Sequence, residues 1–184
     1  MEGRQPKRRK DKYNPYEIYE KDGKYYVSFP PFPSYILFPL TFIFGSNTPD
    51  ALLMWFISLL SAGYLYRLAL QFRLSEPLSA LTTLTVILGS NATFNMLNPG
   101  AWFFAQNLFL LAVMTIYYAG NGKGGWALFF WACSVGCRPM QIFFLPVVLL
   151  ILYIVEKKKS PELSGKKIVS NKIYWGIPAS CVAL

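Results

Sequence analysis

The run from Pro77 to Gly122 contains no charged side chain, and it limits what this chain can fold into more than any other feature of its sequence. The wider stretch 51–155 carries five charges, which are Arg67, Arg73, Glu76, Lys123 and Arg138. About 20 apolar residues in a helix cross the hydrocarbon core of a bilayer. Charged residues make up 15% of the whole chain, whereas a soluble domain carries about a quarter. These observations exclude a soluble globular domain, a disordered chain and a disulfide-stapled secreted domain.

The fold class predicted from this pattern is all-α, a polytopic bundle of transmembrane helices. Backbone N–H and C=O groups must be satisfied internally in lipid, which leaves helices and closed β-barrels as spanning structures. No stretch of the chain alternates with the period of a strand, so helices are favoured. Turn and cap residues divide 51–155 into about five helices, at Ala51–Phe72, Leu78–Ser90, Ala101–Ala119, Trp126–Cys137 and Met140–Val155.

Four further segments flank the predicted bundle. Residues 1–24 are polar and form an N-terminal or first outer-loop segment, and 25–46 form an apolar, proline-rich interfacial element. Residues 156–172 are a basic cytoplasmic loop. Residues 173–184 begin another apolar helix that is too short to span a bilayer, so the chain is expected to be a piece of a longer protein.

The formal net charge of +9 comes mainly from two clusters of basic residues, one near each end of the chain. Hydrocarbon-compatible sequence lies between them, so we interpret the clusters as topology signals that contact anionic membrane lipids, and not as a nucleic-acid-binding surface. With the loop 156–172 placed in the cytoplasm, the loops at Arg67–Arg73 and at Lys123 fall on the same side. Arg138 falls outside as the exception.

The proline-rich element is the most distinctive part of the sequence. Tyr26, Pro30 and Pro31 lie in a stretch where aromatic residues and prolines are mixed. Aromatic rings favour the headgroup region, and proline has no N–H to leave unsatisfied there. The stretch is therefore predicted to be a membrane-parallel interfacial helix, with a generic interfacial anchor as the plain alternative.

Arg138 is the candidate for function among the charged residues. A cation at the edge of a membrane is costly and often functional, but a long arginine can also snorkel to the headgroups. Pro139 favours function because it breaks the helix beside the guanidinium. A metal site is not expected: the chain has no histidine, and Cys133 and Cys137 have no third ligand nearby.

The order of these features resembles the GT-C superfamily of integral membrane glycosyltransferases. It is similar to bacterial relatives of the dolichyl-phosphate-mannose–protein mannosyltransferases and of the lipid A aminoarabinose transferases. The matching residues are the segment Phe29–Ser34 leading to Ile43-Phe44-Gly45, the helix Ala51–Phe72, the run Ser134–Pro139, and Pro146 in the next helix. The resemblance covers roughly residues 13–155.

The resemblance implies transfer of a sugar from a polyprenyl-phosphate-linked donor to an acceptor on the outer face of a bacterial cytoplasmic membrane. Arg138 would then bind the donor phosphate, and an acidic residue ahead of the Pro-Pro element would deprotonate the acceptor. Asp11 lies nearest to that position, with a solvated surface acid in a basic tail as the alternative. No cofactor is implied, and the requirement for a divalent metal stays open.

The side of the membrane on which the N-terminus lies and the class of membrane protein each leave two alternatives. Either Val27–Gly45 crosses the membrane and the N-terminus is cytoplasmic, or a preceding helix is missing, which the four prolines favour. Either the chain is a glycosyltransferase piece that is inactive alone, or it is a transporter-like or flippase-like membrane protein without enzymatic activity.

Overall fold

The computed structural model describes residues 18–21, 24–27, 32–45, 48–90, 92–94 and 103–159. Asp11, Pro30 and Pro31 lie outside the described residues, as do most of the predicted basic loop and the whole of 173–184. The chain divides into two compact units, Met1–Pro30 and Pro31–Leu184.

The first unit contains a β-hairpin that the sequence analysis did not predict. Strand β1 (Ile18–Lys21) pairs antiparallel with β2 (Lys24–Val27), with Ile18 opposite Val27. Asp22-Gly23 between the strands is a pair typical of two-residue hairpin loops. Two corrections follow: a strand-forming stretch is present, and Tyr26 lies in β2 and not in an interfacial helix. Strands of four residues are too short for a period of two to stand out.

The second unit is helical. Its elements are α1 (Phe32–Phe44), α2 (Asp50–Gln71), α3 (Glu76–Gly89), α4 (Phe103–Gly120), α5 (Gly124–Cys137), a 3₁₀ segment (Pro139–Phe144) and α6 (Leu145–Lys159). The five helices predicted after residue 50 are therefore confirmed as helices. Pro77 lies in the first turn of α3, where a missing N–H costs nothing.

The end of α6 corrects a predicted boundary. The basic loop was expected to begin at residue 156, but α6 continues to Lys159 and carries three lysines in its last turn. Cations are favourable at a helix C-terminus because the last carbonyl groups carry partial negative charge. The lysine run 157–159 therefore belongs to the last turn of α6 and not to the loop.

Two described segments, Ala51–Gln71 and Pro139–Lys159, are long and apolar enough to cross a membrane. In the first segment 22% of the most apolar part is buried, and in the second 11%. A core helix of a soluble protein would be mostly buried. Helices α3 and α5 have 14 residues each, or about 21 Å at 1.5 Å per residue, which is shorter than the ~30 Å hydrocarbon core.

Helix α4 lies between α2 and α5. The Tyr64 hydroxyl of α2 lies 3.2 Å from the Tyr118 hydroxyl of α4, and nearer its start α2 packs beside Leu110 of α4. The two helices therefore run parallel. Helix α5 returns antiparallel after a three-residue turn, and α6 packs on the α4–α5 pair.

This arrangement brings the cations of three separate chain segments to one end of the unit. The Gln71 side chain lies against Gly120, and Lys159 Nζ donates a hydrogen bond of 3.3 Å to the carbonyl oxygen of Asn121. We call this end the basic end; its cations are Arg67, Arg73, Lys123, Lys157, Lys158 and Lys159. The opposite end, where α5 stops, is called the Arg138 end.

Helix α1 lies across the Arg138 end. Its first residue, Phe32, packs on a buried cluster that includes Cys137, the last residue of α5. One turn later, Ile36 and Leu37 pack on Met54 near the start of α2. Helix α1 therefore bridges α5 and α2 over the face of α4. The helical part of the predicted element 25–46 is Phe32–Phe44.

Candidate functional site

The break between α5 and the 3₁₀ segment centres on Arg138. Its backbone is extended (φ −147°, ψ 114°), and its N–H still donates to the Ser134 carbonyl oxygen at 2.9 Å. Pro139 has no N–H to continue the α-helical ladder, and it disfavours helical backbone at the residue before it. The chain therefore turns at Arg138, whose carbonyl oxygen accepts a hydrogen bond of 3.0 Å from the Gln141 N–H.

A tryptophan holds the 3₁₀ segment against α5. The indole Nε1–H of Trp131 donates to the Gln141 carbonyl oxygen at 2.9 Å. Trp131 is half-buried and also packs on the cluster that contains Cys137. This bond fixes where the chain leaves Arg138. No feature of the sequence paired these two residues.

Arg138 lies short of the end of α4. The antiparallel register of α4 and α5 follows from the stacking of Tyr118 on Phe130, with ring centroids 5.4 Å apart, and from Leu108 packing on the cluster of Cys137. Eight residues beyond the Tyr118–Phe130 pair, Arg138 is therefore nearly level with Leu110. Helix α4 begins farther along the axis, at Phe103.

Arg138 itself is exposed. Large apolar side chains surround the break: Met140, Phe143 and Phe144 are 72%, 74% and 55% exposed. An exposed cation beside apolar surface is suited to an anionic ligand, above all a phosphate, which accepts paired N–H bonds from arginine.

The structure brings the start of α1 close to this break. Pro33 is buried and Phe32 packs on the α4–α5 cluster that includes Cys137, so the chain that follows the Pro-Pro pair packs against this end of α5. Tyr26, the third residue predicted for the interfacial element, belongs to the hairpin unit. The predicted catalytic acid, Asp11, lies outside the described residues.

No cluster of three metal-ligating side chains occurs in the described ranges. Cys133 and Cys137 are buried free thiols in the α4–α5 interface, as small core residues. An apolar groove of about 320 Å³ lies between α2 and α3 and is lined by Trp55, Phe56, Ser58, Leu59, Ala62 and Ile87. It holds no ionisable side chain, so it offers no acid–base or phosphate chemistry.

Among the described residues at this end, Arg138 is the cation that can bind a charged ligand, and exposed apolar side chains lie beside it. No protein-family model matches the chain, and no similar protein is found among curated proteins or solved structures.

Proposed function

We propose that the chain is a membrane glycosyltransferase, or a piece of one, that takes a sugar from a polyprenyl-phosphate-linked donor at the Arg138 end. The observation that carries the proposal is the position of Arg138. It stands exposed at a helix break, short of the start of α4, and exposed apolar side chains lie beside it. A lipid-linked phosphate can reach such a cation laterally.

The proposal includes an orientation in a bacterial cytoplasmic membrane. Helix α2 and the segment Pro139–Lys159 span the bilayer, and the shorter helices complete a polytopic bundle around them. The basic end faces the cytoplasm, as basic loops generally do. Helix α1 lies in the outer interface, where its exposed Phe38, Phe42 and Ile43 (59%, 77% and 73%) contact lipid.

The reaction at this site would be a substitution at the anomeric carbon of the donor sugar. The bond from that carbon to the phosphate oxygen breaks, and the phosphate leaves with the electron pair. Arg138 stabilises the charge that develops on the phosphate. The acceptor hydroxyl oxygen bonds to the anomeric carbon, and its proton passes to a carboxylate. Asp11 is our candidate for that base, with the surface-acid alternative open.

The second candidate is a transporter-like or flippase-like carrier of lipid phosphates. Transporters place ionisable groups or broken helices near the middle of the bilayer. In the described part of the helical unit, the cations lie at the basic end or at the α5 break. The break joins two antiparallel helices at their common end, which favours a membrane-edge site over a central one.

The test measures donor binding and sugar transfer with the full gene product in proteoliposomes. Arg138→Gln should weaken polyprenyl-phosphate binding by about 10–100-fold, since hydrogen bonds to charged groups contribute about 1.5–3 kcal/mol each. Arg138→Lys should recover part of this loss, because lysine keeps the charge without the planar fork. Arg67→Gln, which removes a cation at the opposite end, is the matched control.

Two results would contradict the proposal. Equal polyprenyl-phosphate binding by the wild type and Arg138→Gln would remove Arg138 from the site. Binding that depends on Arg138 without sugar transfer from the labelled donor would favour the carrier over the enzyme.

A further inference from the structure

The basic end is a composite surface that no single stretch of sequence contains. The α4–α5 turn is its centre: Gly120 lies against Gln71 of α2, and Asn121 accepts the hydrogen bond from Lys159 of α6. Lys123 in the same turn places its Nζ 6.0 Å from the centre of the Tyr118 ring. Cations from three chain segments therefore share one surface.

This surface is strongly positive. All six cations of the basic end are exposed, and the carboxylates at the same end are Glu76 and Glu156. The cations outnumber the carboxylates three to one within the described residues. Charges on long exposed side chains add little to folding stability, so this concentration is better explained by a partner.

Aromatic side chains form a layer directly beneath the cations. Tyr64, Tyr117 and Tyr118 are in mutual ring contact, and Trp126 stacks on Phe130 with ring centroids 5.9 Å apart. Trp126 of this layer is 56% exposed, and Phe72, next to Arg73, is 71% exposed. Aromatic rings beside a row of lysines and arginines are typical of a membrane–water interface.

The apolar surface continues from this layer along both candidate spans. Each span ends at the basic end, and 22% and 11% of their most apolar parts are buried. A nucleic acid or an acidic protein would cover the cations and leave the adjoining apolar side chains in water. A lipid leaflet covers both surfaces at once, with anionic headgroups at the cations and acyl chains at the spans.

We propose that the basic end binds the headgroups of anionic lipids, and that the α4–α5 turn with Lys123 and the last turn of α6 forms the centre of this contact. This contact lies at the end opposite Arg138 and involves neither the sugar donor nor the catalytic base. Failure of the lipid contact is therefore distinguishable from failure of the proposed function.

The experiment measures lipid selectivity of the full chain reconstituted in phosphatidylcholine bilayers. Spin-labelled phosphatidylglycerol and spin-labelled phosphatidylcholine are compared for association with the protein. We expect the anionic label to associate about fivefold more strongly at low salt. The preference should approach unity in 1 M salt, where the Debye length falls to about 3 Å. The combined variant Lys123→Gln, Lys157→Gln, Lys158→Gln, Lys159→Gln should lose most of it.

Matched variants separate charge from folding. The same four positions changed to arginine should keep the preference, and helix content measured by circular dichroism should be equal in both variants. Equal association of the two labels with the wild type at low salt would overturn the proposal, and so would displacement of the anionic label by single-stranded RNA.

Discussion

The two ends of the helical unit are built in opposite ways. At the basic end, short turns join the helices, and side chains from one segment bond to the backbone of another, as Lys159 does to Asn121. At the Arg138 end, α5 ends at Cys137 and the chain continues as a 3₁₀ segment. A separate helix, α1, packs across this end.

The difference shows what each end can do. The basic end gathers like charges on a surface that the turns hold in place, which suits contact with a planar anionic partner. Within the described ranges, the Arg138 end carries one cation beside a break, with α1 packed on the end of α5, which suits one charged ligand. Three pairs of substitutions test this difference in packing between the two ends.

The largest effect is expected for Met54→Ala, because Met54 is fully buried where α1, α2 and α4 meet. Removing its side chain leaves a cavity under α1 and should lower the free energy of unfolding by about 2–4 kcal/mol. Leu52, two residues earlier, is 70% exposed. Leu52→Ala should therefore change stability by no more than about 0.5 kcal/mol.

Unfolding in detergent micelles, followed by circular dichroism, measures both variants. If Met54→Ala proved as mild as Leu52→Ala, α1 would not be packed on the Arg138 end. The comparison of the two ends would then lose its main structural contrast.

A smaller effect is expected for Trp131→Phe. This change removes the indole N–H that donates to the Gln141 carbonyl oxygen at 2.9 Å, and loss of such a partner costs about 1–3 kcal/mol. Trp126→Phe is the matched control, because the contacts of Trp126 with described residues are ring contacts. We expect a stability loss of about 1–2 kcal/mol for Trp131→Phe.

The same change should loosen the chain after Arg138. Hydrogen exchange at the Gln141 amide, followed by mass spectrometry, should be faster in Trp131→Phe than in Trp126→Phe. Equal exchange in both variants would show that the indole bond does not hold the 3₁₀ segment.

The five helices after residue 50 could be predicted because apolar runs, turns and prolines mark them locally. The placement of the cations at one end could also be predicted, since it follows from helices that reverse direction at each turn. The bond between Trp131 and Gln141 could not be predicted, because it joins residues across a break in the backbone. The position of α1 over α5 depends on residues about 100 positions apart in the chain, such as Phe32 and Cys137.

The boundaries that failed did so for local reasons. The hairpin of β1 and β2 is shorter than the stretch needed to recognise a strand period. The start of the basic loop was misplaced because a lysine run looks like a loop, although lysines at a helix C-terminus are favourable. For the candidate site, Arg138 could be selected from the sequence because a charge is rare in apolar sequence, but its level relative to α4 required the packing of Leu108.

The smallest effect is expected at the basic end, for Gly122→Ala in the α4–α5 turn. Gly122 has φ +71°, a left-handed conformation that costs a residue with a Cβ about 1–2 kcal/mol. Gly63→Ala is the control, because Gly63 lies within α2 and an added Cβ there meets no atom within 4 Å. Alanine should stabilise that position by up to about 1 kcal/mol, as it is the better helix former.

The two variants should therefore shift unfolding in opposite directions, with Gly122→Ala losing about 1 kcal/mol. The alanine Cβ at position 122 would also meet the Lys159 ammonium group. The lysine side chain would therefore have to move, although it keeps its charge. Because lipid headgroups respond to charge and not to one fixed lysine position, Gly122→Ala should keep its preference for anionic lipid. A stability loss together with loss of that preference would show that the turn geometry, and not the sum of its charges, determines what the basic end binds.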